Sequence, residues 1–249
     1  MDLREQKNIA RAGFQRHPWE IVRLEFVLDI LRKIYGNRPA PSCILDVGCG
    51  DLYISKAISD YFPHSEIVSV DTAYHTCLSL ENINVVNSLE QVPKETYPLI
   101  LLLDVLEHIE DDREFLKNLI QRFSSPDTLF LITVPLHSFL FSEHDIKLAH
   151  KRRYNYNKLL LQIQKERLDI IRSGNLFSSL LLFRILQVIC GKLLIKLRPG
   201  RKGASFTDVA AWNHSILLTA MVKWLLRFDI KYANRLPGLS GYVVASHGR

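Results

Sequence analysis

The chain has 249 residues, of which 47% are hydrophobic and 23% charged. That balance excludes wholesale disorder, a fibrous repeat and a small disulfide scaffold, and the length suits one domain with an elaboration. The formal net charge is +6, yet residues 1–150 hold 14 basic and 22 acidic side chains while residues 151–249 hold 18 and 4; the basic part should meet something anionic.

Cys43, Cys49, Cys77 and Cys190 form no C-x-x-C pair and show no metal-ligand spacing. Buried, reduced thiols in a cytoplasmic protein are therefore expected, and no metal is. Residues 1–20 are charged throughout and lack the apolar stretch of a signal peptide. No run of about 18 uncharged apolar residues suggests a spanning helix. The nearest candidate, Leu176–Leu197, is interrupted by Arg184, Gln187, Lys192 and Lys196.

In chain order, Ile21, Val22, Leu24, Val27, Leu28, Ile30, Leu31 and Ile34 recur at helical spacing after His17-Pro18, and Gly36 ends that helix. Cys43–Val47 reads as a buried strand running into Gly48-Cys49-Gly50, and Tyr53–Phe62 as a helix. Ile67–Asp71, Ile83–Val86 and Leu99–Leu103 are further strands. Asp111–Phe123 is a helix and Thr128–Val134 a fifth strand, stopped by Pro135. Short apolar runs alternating with helices predict a parallel sheet covered on both faces. A polar, His-rich loop, Leu136–Tyr156, then leads to a helix at Lys158–Lys165 and a sixth strand at Leu168–Ile171. Leu176–Leu197 and Val209–Tyr232 are helical patterns, and Tyr242–Ala245 is a last strand.

Gly48 and Gly50 stand where the first strand becomes a helix, and no glycine occurs between Gly50 and Gly174. Bare backbone there lets a ligand lie against amides at a helix N-terminus. A P-loop would need Gly-Lys-Ser/Thr where Asp51-Leu52 follows, and a dinucleotide fingerprint would need glycine at Tyr53. Asp46, just before the loop, would repel a pyrophosphate. Asp71, 23 residues after Gly48, is placed to take two ribose hydroxyls. The ligand is read as a nucleoside with a cationic tail.

Ile44–Gly50 resembles the first motif of class I S-adenosylmethionine-dependent methyltransferases, Val70-Asp71 their ribose-binding acidic position, and Leu102–Ile109 the segment after the fourth strand in the small-molecule branch (methyltransferase type 11/12-like). The resemblance spans residues 15–170, with the last strand returning near 242. It implies an α/β fold: a Rossmann-like, doubly wound, mostly parallel seven-stranded sheet with a helical insertion before the last strand. It implies S-adenosyl-L-methionine as cofactor, held by Asp46, Gly48, Cys49, Gly50, Asp71, Thr72, Asn87, Ser88, Asp104 and Val105. Two positions depart from the family pattern. Leu52 stands where a third glycine is common, and Asn87-Ser88 where an acidic residue often takes the adenine amino group.

Methyl transfer from a sulfonium is an in-line displacement, so the protein positions the acceptor and excludes water; a base is needed when the nucleophile arrives protonated. The stretch Ser142–Tyr154 resembles a His-Asp…His-x-Arg-Arg-Tyr segment of related methyltransferases. His144, Asp145 and His150 are the candidates for proton transfer, and His108, Arg153 and Tyr154 for substrate contact. His108 serves equally well as a locally packed residue, and the cations of the stretch as a solvated helix end. In similar enzymes the segment Gln15–Glu20 folds over the cofactor; Trp19 either shields that site or packs its helix.

About seventy residues separate the sixth and last predicted strands, far more than an ordinary connection. Thr219, Lys223, Arg227 and Lys231 recur every fourth residue beside Trp212, Leu217, Met221, Trp224, Leu225 and Phe228. This is either a soluble lid or an interfacial surface for an amphiphilic acceptor. The resulting organisation is an N-terminal helical cap (1–40), a cofactor-binding core (41–174), a basic amphipathic insertion (175–240) and a returning strand (241–249). The expected activity is methylation of a small or lipid-linked acceptor, at oxygen, in the cytoplasm or at the inner membrane face through residues 176–232. Rival readings are a non-catalytic binder of the same fold and an RNA methyltransferase. Nucleic acid is disfavoured because the aromatics follow helix spacing in apolar company.

Overall fold

The computed structural model describes residues 16–186, 215–232 and 235–247. Cys190 and Val209 lie outside them. The strands are β1 (Cys43–Val47), β2 (Glu66–Val70), β3 (Leu78–Leu80), β4 (Ile83–Val86), β5 (Leu99–Leu103), β6 (Leu129–Pro135), β7 (Leu168–Leu176) and β8 (Ser240–His247). They form one sheet in the order β3-β4-β2-β1-β5-β6-β8-β7. The central five, β4, β2, β1, β5 and β6, run parallel, and β8 lies antiparallel between β6 and β7.

Helices cover both faces because both faces of the central strands are apolar. Leu45, Val47, Ile100 and Leu102 point to one side. There they meet α3 (Asp112–Phe123) and α5 (Tyr156–Lys165). Ile44, Leu99, Leu101 and Leu103 point to the other, against α1 (Pro18–Tyr35), α2 (Tyr53–Tyr61) and α7 (Ile216–Tyr232). Two smaller helices remain, α4 (Glu143–Lys147) in the loop after β6 and α6 over residues 178–186. Pro18 occupies the first turn of α1, the His17 imidazole accepts from the Trp19 amide, and Gly36 caps the end.

Three expectations are corrected. The sheet has eight strands, not seven: β3 pairs antiparallel with β4 across a turn at Glu81, which has a φ of +50°. Its three residues are all exposed, so the strand carries no core periodicity to read. The sixth predicted strand extends to Leu176, because β8 pairs with it along its whole length across a register shift between Ile170 and Arg172. Helix α6 therefore starts after Phe177 instead of at Leu176.

The chain crosses from one side of β1 to the other between β4 and β5, which opens a crevice at the carboxyl ends of β1 and β5. Left-handed backbone gathers at the strand ends on this side. Gly48 and Gly50 have φ of +73° and +55°, and Leu52, Asp104, His137 and Phe177 have +63°, +57°, +65° and +63°. Non-glycine residues in this region are strained and persist where surrounding contacts hold them. Leu52 is held by burial at 4% exposure. A glycine at that position would take the same conformation without the steric cost, which is why glycine suits it; here burial holds Leu52 in its place.

At Gly48 no side chain fits: a Cβ would stand 2.6 Å from Val105 Cγ2. Gly48→Ala should therefore cost about 2–4 kcal/mol from overpacking and left-handed strain together. The second substitution Val105→Ala should recover roughly half by removing the clash alone. Thermal unfolding of both variants checks this.

Candidate functional site

The glycine loop is built on β1 and tied to β2. The Gly48 and Cys49 amides both donate to Val70 O, at 2.7 and 3.2 Å. Asp71 follows at the end of β2. Its Oδ2 accepts from the Gly50 amide at 3.0 Å and its Oδ1 from the Ala73 amide at 2.9 Å, and Tyr74 Oη donates to Gly50 O at 2.9 Å. The carboxylate expected at a ribose thus also fixes the loop. Thr72 is exposed beside it, and Asn87 and Ser88 are half-buried at the end of the neighbouring β4.

Asp46 is buried behind the loop at 2% exposure, where the Ser55 hydroxyl donates to its Oδ2 at 2.5 Å. Burial pushes its carboxyl up to about 6, against the pull of Ser55 and the Arg23 guanidinium. Burial, together with the Asp46 and Asp71 charges, also raises the Cys49 thiol, so Cys49 is an inert, protonated residue there. On the open side, Arg16 donates to Asp51 at 2.6 Å and lies over the Tyr53 ring at 3.7 Å, closing the start of α1 against the loop. Trp19 packs its helix against the core on this face.

Across the crevice, Asp104 ends β5. Its Oδ2 pairs with Arg23 Nη2 at 2.9 Å and its Oδ1 accepts from Thr133 Oγ1 at 2.9 Å; Arg23 also donates to Thr133 at 3.2 Å. Val105 packs on Gly48. Sequence reasoning missed Arg23. The available signal was its place at the head of a buried stripe, Arg23, Phe26, Val27 and Ile30, where a charge needs a buried partner.

A short 3-10 turn, Leu106–His108, then turns Glu107 inward. The side chain is fully buried, and neither carboxyl oxygen meets a hydrogen-bond partner among the described residues. Burial, then the Asp104 charge, raises its pKa well above the carboxylate range. Glu107 was also missed, because one sequence cannot separate a buried acid from a helix-start acid.

The loop after β6 supplies the other half of the site. Ser142 and Asp145 form a capping box around α4. Asp145 Oδ2 accepts from the Ser142 amide and hydroxyl at 2.9 and 3.1 Å, and Oδ1 meets His150 Nδ1 at 3.1 Å and Arg153 Nε at 2.7 Å. Burial favours the neutral acid, but His150 and Arg153 outweigh it and hold the Asp145 carboxyl below its usual range. With Nδ1–H on a carboxylate, the His150 Nε2 is left as the accepting nitrogen. The His150 ring stands edge-on to His108, with centroids 4.8 Å apart.

Glu107, His108 and His150 each bring a ligand atom within 4.8 Å of the others, a set able to share a metal ion or a proton. No metal was expected at these residues. The structure therefore brings together Asp145, His150, Arg153 and His108 of the expected residues. It does not bring Tyr154 to them: its hydroxyl donates to Asp112 at 2.6 Å, and Gln162 shares that carboxylate. Arg152 pairs with Asp112 and Lys151 with Glu110, so of the three adjacent cations only Arg153 turns inward. His144 takes no part in the Asp145 hydrogen bonds. Burial and Arg184 hold its imidazole below the ordinary pKa.

A buried carboxyl kept neutral adds stability below the unfolded pKa of about 4.3, and that contribution is lost as pH rises through the raised folded value. Glu107→Gln should therefore keep the fold, and its thermal stability should fall less with pH than the wild type's on the alkaline side, as melting curves across a pH series would show.

A family model for a methyltransferase domain matches residues 19–183. Ubiquinone biosynthesis O-methyltransferase of Rickettsia bellii is 26% identical over 153 residues, which cover 56% of this chain and 63% of that protein. The Rickettsia canadensis enzyme is 24% identical with similar coverage. The match thus spans somewhat under two thirds of these relatives. Among solved structures, a putative sarcosine dimethylglycine methyltransferase from Galdieria sulphuraria superposes at a TM-score of 0.56 with 14% identity, covering 92% of this chain and 86% of that one. A plantazolicin methyltransferase crystallised with SAH superposes at 0.55 with 15% identity, covering 93% and 85%. These likenesses agree with the fold described above. With its model matched across most of the chain, the protein belongs to the methyltransferase-domain family.

Proposed function

We propose that this chain transfers a methyl group from S-adenosylmethionine to an oxygen of a small or lipid-linked acceptor, working in the cytoplasm or at the inner membrane face. The observation that carries the reading is the meeting, at one end of the sheet, of an Asp71-held glycine loop and a buried carboxylate–imidazole pair. Val105 packs where a Cβ of Gly48 would stand, which brings the glycine loop and the turn after β5 together at the strand ends. The relatives named as O-methyltransferases support oxygen as the acceptor atom.

S-adenosylmethionine supplies a methyl group made electrophilic by its sulfonium. The loop Gly48-Cys49-Gly50, its amides held by Val70 O and Asp71, would border its amino-acid end, and Asp46, ready to ionise near pH 6, would give that end negative charge. Asp71 takes the ribose, with Thr72, Asn87 and Ser88 toward the adenine. Asp104 and Val105 form the wall between cofactor and acceptor. His150 Nε2 receives the proton of the acceptor hydroxyl, while Asp145 fixes the tautomer and stabilises the imidazolium formed. Arg153 holds Asp145 ionised for that task. His108, edge-on to His150, lies on the acceptor side.

Asp71→Ala should weaken SAH binding by roughly ten- to a hundredfold, the loss of hydrogen bonds to a charged acceptor, while the protein still unfolds cooperatively. Calorimetry with SAH reads this; unchanged affinity removes Asp71 from the ribose. His150→Gln should leave SAH affinity intact and lower methyl transfer by about 10²–10⁴. The readout is label passing from methyl-tritiated S-adenosylmethionine into an organic extract of added membrane lipids. An unaffected rate would dismiss His150 as the base.

A further inference from the structure

Helix α7 turns an apolar face away from the protein. Its inward residues, Leu226 and Asp229, are buried. Leu217, Met221, Trp224, Leu225, Phe228 and Tyr232 share the opposite sector, with Leu217 83% and Trp224 65% exposed. Trp224 stacks on Phe228 at 6.0 Å between centroids and Phe228 meets Tyr232 at 4.9 Å, making an aromatic ladder along the outside of the helix. An isolated exposed apolar residue needs no explanation, but a continuous outward stripe does.

The stripe is flanked on one side by Lys223, Arg227 and Lys231, which recur at the helical repeat. Arg227 pairs with Glu25 of α1, and Lys231 lies 5.1 Å from the Tyr232 ring centroid. Residues 176–232 carry nine basic side chains and two acidic ones. One of those acids, Asp229, faces inward and accepts from the Ser179 amide and hydroxyl at 2.9 and 2.5 Å, joining α7 to the start of α6.

Exposed apolar side chains also stand on α6, which touches the loop after β6. On α6, Leu182, Phe183 and Leu186 are exposed, and Arg184 between them donates to the Ser142 hydroxyl at 2.6 Å. Ser142 is the residue that caps α4 together with Asp145. Phe141 and Ile146, beside it, are also exposed apolar side chains. Exposed apolar side chains thus stand on α7, on α6 and on the loop that carries the Asp145–His150 group.

From this arrangement we infer that the α6–α7 face docks on an anionic lipid bilayer, lying in its interface and presenting the acceptor loop to it. An outward apolar stripe with Trp and Tyr, flanked by Lys and Arg, matches a headgroup boundary with negative charge. A second copy of the chain would bring the same cations face to face. Nucleic acid would meet the cations and leave Leu217 and Met221 wet. No helix among the described residues is long and apolar enough to cross a membrane, so the contact is one of lying on the surface. The inference rests on the proposed function only in giving the docked site a lipid-linked acceptor; the contact itself can be measured apart from catalysis.

The test is sedimentation of the full chain with phosphatidylcholine vesicles and with phosphatidylcholine–phosphatidylglycerol vesicles, in low salt. Partitioning should be at least about tenfold stronger to the anionic vesicles and weaken with added salt. Trp224→Ser with Phe228→Ser, and separately Lys223→Glu with Lys231→Glu, should each lower it by about tenfold or more. Leu78→Ser with Leu80→Ser, on the remote exposed β3, should change nothing. SAH affinity, measured in parallel, should stay the same in all variants. A chain that stays in the supernatant with anionic vesicles while still binding SAH would overturn the docking and leave the proposed function standing. So would light scattering that shows a dimer dissolved by Trp224→Ser with Phe228→Ser, since a second copy would then cover the face.

Discussion

The contact between Gly48 and Val105 is the constraint on which the rest of the site depends. It joins the carboxyl ends of β1 and β5, the two strands between which the chain reverses direction across the sheet. Because a Cβ has no room at Gly48, the loop after β1 lies directly against the turn after β5. Asp71 then reaches the Gly50 amide from β2, while Asp104, Glu107 and His108 leave from β5 a few residues away. The glycine loop and an acid–imidazole cluster become neighbours where that position lacks a side chain.

Around that contact the ionisable groups fall into two environments. Asp145 is ringed by donors and stays charged although it is buried. Glu107 is equally buried and has no described donor, so burial favours its neutral form. Asp46 lies between these extremes, with one hydroxyl and a carboxyl moved to about 6. Burial alone would neutralise all three; the number of donors aimed at each oxygen separates them. Charged groups that must work at neutral pH are therefore supported by loops rich in donors, and the loop after β6 supplies most of them.

The central strands were legible in the sequence because each is apolar on both faces, and the glycine loop because Gly48 and Gly50 follow the first of them. Asp71 was legible through its spacing from that loop. β3 was not, since three exposed residues leave no trace in hydrophobic pattern. The pairing of Asp145 with His150 was within reach of the motif, but the division of Lys151, Arg152 and Arg153 among three different carboxylates was not, because it depends on where α3 lies. Arg23 and Tyr154 show the same limit in opposite senses. One looked like a helix residue and reaches Asp104; the other looked like a site residue and is committed to Asp112. Partners distant in sequence settle such cases, and a single chain read by itself does not hold them.

The division of charge along the chain follows from the same geometry. The first 150 residues, with their acidic excess, build the central strands and the turns at their ends, and several of those acids lie in or beside the crevice. The last hundred residues, with their basic excess, build the outer helices and the returning strand. Arg184 and Arg227 each bridge the two parts, one to Ser142 beside the acceptor loop and one to Glu25 on α1. A hydrogen bond holds the insertion to the core at the first place and an ion pair at the second, and among the described residues Lys223 and Lys231 flank the apolar stripe of α7. An extension added only to stabilise the core would bury its Trp and Phe inward; here Trp224 and Phe228 point out, and Lys223 and Lys231 share that outside surface with them.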